Sequence, residues 1–270
     1  MQVDRIAVHD SVVAIFPPEP LCEALSDLDA EVVAIDDGDL DRIGEFDAVV
    51  TFAHRDAFLS VPWVHSIQAG YEHFPLEAFE RSGTALTSSS GIHDTSVGET
   101  VTGYLLALAR RLHVYAAHQE RGEWYRPAWD EPFTVEGEPI CVVGLGTLGR
   151  GIAERAAGLG MEVSGVRRTP EPVEGVARVH PPGELHEAIS SARFVALAVP
   201  LTDETHHLIG ADEFEAMRRD AYLVNVARGP VVDEAALAEA IRTGEIAGAA
   251  LDVFEEEPLP PESPLWELDD

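Results

Sequence analysis

The chain has 270 residues, 46% of them hydrophobic, enough to bury the core of one large or two ordinary domains. Its 49 Asp and Glu residues outnumber 18 basic ones, a formal net charge of −31, which excludes binding by charge attraction to nucleic acid or to an anionic membrane surface. No apolar run approaches the roughly 18 residues of a membrane span, the N-terminus does not read as a signal peptide, and the distant Cys22 and Cys141 read as reduced structural thiols, so a cytoplasmic location is expected.

All 18 basic residues are arginine. A GC-rich genome is one explanation. The absence of lysine together with this acidity points further, to adaptation to a salt-saturated cytoplasm, where self-repulsion is screened within a few ångströms. Unfolding in low salt is the expectation.

Residues 1–89 alternate apolar runs with polar helical stretches. Strands are predicted at Arg5–His9, Glu31–Ile35, Asp47–Phe52, Trp63–Ile67 and Thr84–Thr87, and a helix at Pro17–Leu28. This β/α alternation implies a parallel sheet covered by helices. Two loops follow strand ends, His54–Leu59 and Gln68–Glu72, on the side where open α/β sheets bind ligands. Gly70 could expose N–H groups to a carboxylate, or be an ordinary turn glycine.

From Thr95 the pattern becomes a long helix. Ser96 and Glu99 have capping-box spacing, and Val97, Val101, Leu105, Leu108 and Leu112 recur at helical intervals. The domain change is placed near residues 95–100, dividing the chain into 1–97 and 98–270. A polar linker, Gly122–Gly137, carries Trp124, Tyr125 and Trp129, which could serve a subunit interface or cover the core.

A second β/α series follows. Strands are predicted at Ile140–Val143, Glu162–Val166, Phe194–Ala198, Tyr222–Val226 and Gly248–Phe254, with helices near 147–159, 184–191, 211–219 and 233–243. The fold class is therefore α/β, two Rossmann-like or flavodoxin-like doubly wound parallel-sheet domains. Between the first strand and helix lies Gly144-Leu145-Gly146-Thr147-Leu148-Gly149. The three glycines permit a sharp turn, close approach of a pyrophosphate and tight helix packing, and the helix N-terminus offers free N–H groups. Residues 98–270 read as a dinucleotide-binding domain.

The acidic residue that would take a ribose 2′-OH at the end of the second strand is missing. Arg167, Arg168 and Thr169 stand there instead. Two guanidinium groups suit a 2′-phosphate, so NADP(H) is the expected cofactor, with NAD(H) possible. The alternative is a solvated pair balancing Glu171 and Glu174. No metal-ligand set is assigned.

Three further runs sit at strand carboxyl ends: Val199–Thr205, Asn225-Val226-Ala227-Arg228-Gly229, and Ala250–Pro258 with its Glu255-Glu256-Glu257-Pro258 segment. With Gly144–Gly149 and Gln68–Gly70, they closely resemble the D-isomer-specific 2-hydroxyacid dehydrogenase family over the whole chain. The resemblance implies reduction of 2-keto acids to D-2-hydroxy acids by a nicotinamide cofactor. It implies that Arg228 binds the substrate carboxylate and keto oxygen, and that Glu257 pairs with a catalytic histidine. The backbone at Ala69 and Gly70 would hold the carboxylate. Asp252 would lie near the nicotinamide carboxamide, Val226 and Ala227 on the nicotinamide side, and Pro200 and Thr205 on the adenosine side. Residues 1–97 would be the substrate domain, and a homodimer through the nucleotide domains is expected. Glu255 and Glu256 are read as surface acids.

In the family the histidine belongs to a T-P-H run beyond the glutamate–proline pair. None of the eleven histidines here fits that position; His54, His65 and His73 read as surface or packing residues. The ending Pro264–Asp270 resembles the lead into that strand, so the expectation is a C-terminally incomplete chain that also lacks the helix completing the first domain. The rival function is a nucleotide-sensing, partner-binding protein of the same fold without turnover; formate or phosphonate oxidation is a second.

Overall fold

The computed structural model describes residues 2–71 and 73–268. Glu72 of the second predicted loop, and Asp269 and Asp270 at the end of the predicted lead, lie outside the described residues. The chain forms two compact units, divided between Ile92 and His93.

The first unit carries strands β1 (Arg5–His9), β2 (Glu31–Ile35), β3 (Ala48–Thr51), β4 (Trp63–Ser66) and β5 (Ala85–Ser88). All pair in parallel, in the order β2-β1-β3-β4-β5, the flavodoxin-like order. Its core gathers Ala7, Ile35, Ile43, Val49, Phe58, Val64 and Phe79. The predicted helix at Pro17–Leu28 is shorter, α1 (Pro18–Ala24), and α2 spans Leu76–Ser82. Asp37–Glu45 between β2 and β3 is a 3₁₀ stretch capped by Asp36.

The second unit opens with α3 (Asp94–Arg110) and α4 (Leu112–Glu120). Two expectations fail here. Ser96 is not the helix cap: α3 starts at Asp94, and the Ser96 hydroxyl donates to the His93 carbonyl from inside the first turn. The cause is tertiary. A Cβ on Gly151 would stand 2.4 Å from the Asp94 carbonyl oxygen, so packing against a later helix sets where α3 begins. The apolar stripe also stops early. Val101, Leu105 and Leu108 are buried, but Arg111 takes φ 57° and breaks the helix, leaving Leu112 half exposed.

The remaining elements are β6 (Pro139–Val143), α5 (Thr147–Gly158), β7 (Glu162–Val166), β8 (Arg178–His180), α6 (Leu185–Ser190), β9 (Phe194–Leu197), α7 (Ala211–Ala216), β10 (Tyr222–Asn225), α8 (Glu234–Thr243) and β11 (Gly248–Leu251). The six strands are parallel, in the order β8-β7-β6-β9-β10-β11. That is the order of a dinucleotide-binding sheet, with its switch point between β6 and β9. The strands read as near-continuous apolar runs because both faces are covered. Three-residue β8 carries too short a pattern to be read from sequence. The predicted strand Gly248–Phe254 ends at Leu251. Asp252 still donates its N–H to the Asn225 carbonyl, but the Phe254 N–H is taken by the Glu257 side chain, which turns the chain away.

Cys141 is wholly buried in β6, and burial pushes its thiol up to about 12. Cys22 is partly exposed, and neither cysteine is in a disulfide. Trp124 and Trp129 are 97% and 93% exposed, so neither covers the core. No helix among the described residues is long and apolar enough to cross a membrane.

Candidate active site

The switch point of the second unit opens into a cavity of about 700 Å³. Gly144, Gly146, Arg167, Arg168, Thr169, Pro200 and Thr205 are among the residues that line it. Seven of the expected cofactor residues thus share one space. Each glycine has a physical reason. Gly144 has φ +100°, and a Cβ there would stand 2.6 Å from the Ala198 carbonyl oxygen. A Cβ on Gly149 would meet the Gly144 carbonyl oxygen at 1.8 Å, so only glycine lets α5 start this close to the turn. Gly146 has nothing within 4 Å of that position, so a ligand can come right up to the main chain there. No side chain caps α5, and its first N–H groups, at Thr147, Leu148 and Gly149, are left for an anion. These residues fit a dinucleotide pyrophosphate.

Arg167 and Arg168 follow directly on β7. Among the described residues neither is paired with Glu171 or Glu174, the alternative that the sequence left open. Asp203 and Glu204 line the same cavity, an acidic contribution that the sequence reading passed over. Thr205 is committed locally: its hydroxyl donates to the Pro200 carbonyl at 2.6 Å and accepts from the Thr202 N–H at 2.8 Å, which closes that loop into a tight turn.

The Arg228 loop follows β10. Arg228 is half-buried and donates from Nη1 to the Ala227 carbonyl at 2.7 Å. Val226 and Ala227 are buried, their side chains in the hydrophobic core, so they present main chain rather than side chain. The Glu257 loop follows β11. Glu257 accepts the Phe254 N–H at 3.0 Å and precedes a cis bond to Pro258. No described histidine bonds to it. The two loops are pressed together: a Cβ on Gly229 would stand 1.8 Å from the carbonyl carbon of Phe254. In the first unit, Gly70 is buried and Ala69 half-buried, and their loop is tied down by Gln68, whose Nε2 donates to the Phe52 carbonyl at 2.8 Å. His54 packs edge-on against Phe58 and Phe74, while His65 bonds to Thr87 and Ser89.

Comparison with known proteins agrees with this architecture. Residues 102–270 match the family described as D-isomer specific 2-hydroxyacid dehydrogenase, NAD binding domain. A glyoxylate reductase of Korarchaeum cryptofilum is 33% identical over 244 residues, 85% of this chain and 72% of that protein. The chain belongs to the D-isomer-specific 2-hydroxyacid dehydrogenase family. A glyoxylate/hydroxypyruvate reductase B of an Enterobacter species is 39% identical over 205 residues, 74% of this chain and 63% of that protein. The chain therefore spans about two thirds of the length of these relatives. A D-isomer specific 2-hydroxyacid dehydrogenase from Xanthobacter autotrophicus, solved in complex with NADPH and MES, has 31% identity and a TM-score of 0.83, covering 98% of this chain and 85% of that one.

Within this family member, sequence reading missed two supports of the site. Asn225 is 1% exposed and brackets the Arg228 turn: Oδ1 accepts the Ala227 N–H at 3.0 Å, and Nδ2 donates to the Arg228 carbonyl at 3.1 Å. An asparagine two residues before the turn's N–H is an Asx signal that sequence alone could have flagged. Glu255 is not merely a surface acid. It accepts from His207 Nε2 at 3.0 Å and from the Glu234 N–H at 3.3 Å, while Glu234 accepts the Glu255 N–H at 2.7 Å. Burial first, and then the Glu255 charge, raise the Glu234 carboxyl above its ordinary range.

Proposed function

We propose that the protein reduces small 2-keto acids of the glyoxylate and hydroxypyruvate type to D-2-hydroxy acids, with NADPH as reductant. The observation that carries this reading is the shared cavity: the glycine turn that suits a pyrophosphate and the Arg167–Arg168 pair that suits a 2′-phosphate line one space. When bound, the nicotinamide supplies the hydride. NADH is the weaker cofactor in this reading, since two guanidinium groups gain nothing from a bare 2′-OH.

Arg228 grips the substrate carboxylate and polarises the keto oxygen, which orients C2 and stabilises the developing alkoxide. In the first unit, the main chain of Ala69 and Gly70 is assigned to substrate binding. Glu257 is assigned as the carboxylate that orients an acid–base histidine and raises its pKa, so that the alkoxide can be protonated near neutral pH. Asp252 is assigned to the nicotinamide carboxamide. The relatives' names support the substrate class. The cytoplasm is the compartment that supplies the cofactor, and the exposed Trp124 and Trp129 are assigned to a homodimer interface.

The test is NADPH oxidation with a panel of 2-keto acids in molar KCl, by this chain and by the full-length gene product, with chiral analysis of the product. The D-hydroxy acid is expected, and Arg167→Asp should shift preference toward NADH. NADPH binding without oxidation of any 2-keto acid would move the protein to a sensing role. Tighter binding of NADH than of NADPH, unmoved by Arg167→Asp, would overturn the cofactor assignment.

A further inference from the structure

The Tyr104 hydroxyl donates to Asp252 Oδ1 at 2.7 Å, across 148 residues of chain. Tyr104 stands on α3, whose Val101, Leu105 and Leu108 are locked into the core, so the phenol is held on a rigid element. Asp252 stands at the other end of this bond, just past β11, where the strand has stopped and the loop begins. Its own N–H is spent on the Asn225 carbonyl. One carboxylate oxygen is therefore fixed by the phenol, while the other, on an exposed residue, accepts from no donor among the described residues. The chemistry suits a ligand N–H donor. A carboxylate with one oxygen anchored cannot rotate away, and it meets an amide –NH₂ without first losing side-chain freedom.

We propose that Tyr104 is a positioning residue for the nicotinamide end of the cofactor, holding Asp252 Oδ1 so that Oδ2 receives the carboxamide –NH₂. This rests on the assignment of Asp252 made above. Tyr104 does not touch the reacting atoms; it acts through Asp252. The phenol is a permanent donor at working pH, because burial and the bond to Asp252 push it up to about 12.

The experiment compares Tyr104→Phe, Asp252→Ala and the double variant with the wild type, all in molar KCl. Binding of NADPH and NADH is measured beside binding of ADP-ribose and its 2′-phosphate, which carry no nicotinamide. Tyr104→Phe should weaken both reduced dinucleotides about five- to tenfold, the worth of one ordinary hydrogen bond, and leave both ADP-ribose ligands unchanged. In the Asp252→Ala background, Tyr104→Phe should add nothing. Equal weakening of the ADP-ribose ligands would mean that Tyr104 acts on the fold and would overturn the proposal. Selective weakening by Asp252→Ala with none from Tyr104→Phe would overturn it too, while leaving Asp252 in place. Asp252→Ala without effect on any ligand would instead remove the assignment on which the proposal stands.

Discussion

Gly229 and Phe254 lie backbone against backbone, with no room for a single carbon between them. Through this contact the turn bearing Arg228 and the turn bearing Glu257 are built as one piece, although 29 positions separate the two side chains in sequence.

Gly229→Ala is expected to force the loops apart. Overpacking of this kind costs about 1–3 kcal/mol, so the variant should melt earlier in KCl. Its turnover should fall further than its stability loss explains, because both Arg228 and Glu257 are displaced. Thermal melts and keto-acid kinetics on the same preparation check this; a variant with wild-type kinetics would show that the contact does not set the site.

Arg228→Ala should lower kcat/KM for 2-keto acids about 10²- to 10³-fold, the usual loss on removing one donor to a developing oxyanion. NADPH affinity should hold, because the dinucleotide cavity is lined by other residues. Steady-state kinetics beside a direct NADPH titration separate the two.

Glu234 gives a pH prediction. Burial, then the Glu255 charge, raise its carboxyl pKa in the folded protein. The native state then holds that proton more tightly than the unfolded chain, so stability falls as pH rises from the ordinary carboxyl range through the raised value. Above that window the cost is fully present. Glu234→Gln removes it and can keep the bond to the Glu255 N–H. The variant should be more stable than wild type at pH 7, with the gain fading toward pH 4. Denaturant midpoints at both pH values measure it, and a gain independent of pH would rule this cause out.

Salt should matter more than any single residue. With a net charge of −31, self-repulsion is strong in dilute buffer and is screened to about 3 Å in molar salt. The melting temperature should climb steadily with KCl, and the protein should unfold near zero salt. A melting temperature indifferent to KCl would show that the acidity is compositional and not adaptive.

The doubly wound plan was legible because buried parallel strands write themselves as short runs such as Ile140–Val143 and Phe194–Ala198. That Gly144, Gly146, Arg167 and Arg168 would share one space was legible because they stand at the carboxyl ends of adjacent strands. Boundaries were not. Ser96 and Glu99 satisfy a local capping rule, yet Asp94 starts the helix, because Gly151 on another helix admits it there. Tyr104 and Asp252 could not be paired from sequence, since nothing local in either segment announces a partner 148 residues away. Glu255 read as one acid among many until the fold set it over the first turn of α8. The pairing of distant groups is a property of packing, and composition does not carry it.

The contrast between the two thiols gives the chain a built-in chemical address. Cys141 is sealed in β6 with its thiol pushed up to about 12, while Cys22 is partly exposed on α1. A maleimide dye offered to the folded protein should therefore attach once, in the first unit, with no engineering. Labelling of a second site would then report the opening of the nucleotide-binding sheet, so dye stoichiometry against KCl becomes a direct gauge of when that sheet comes apart.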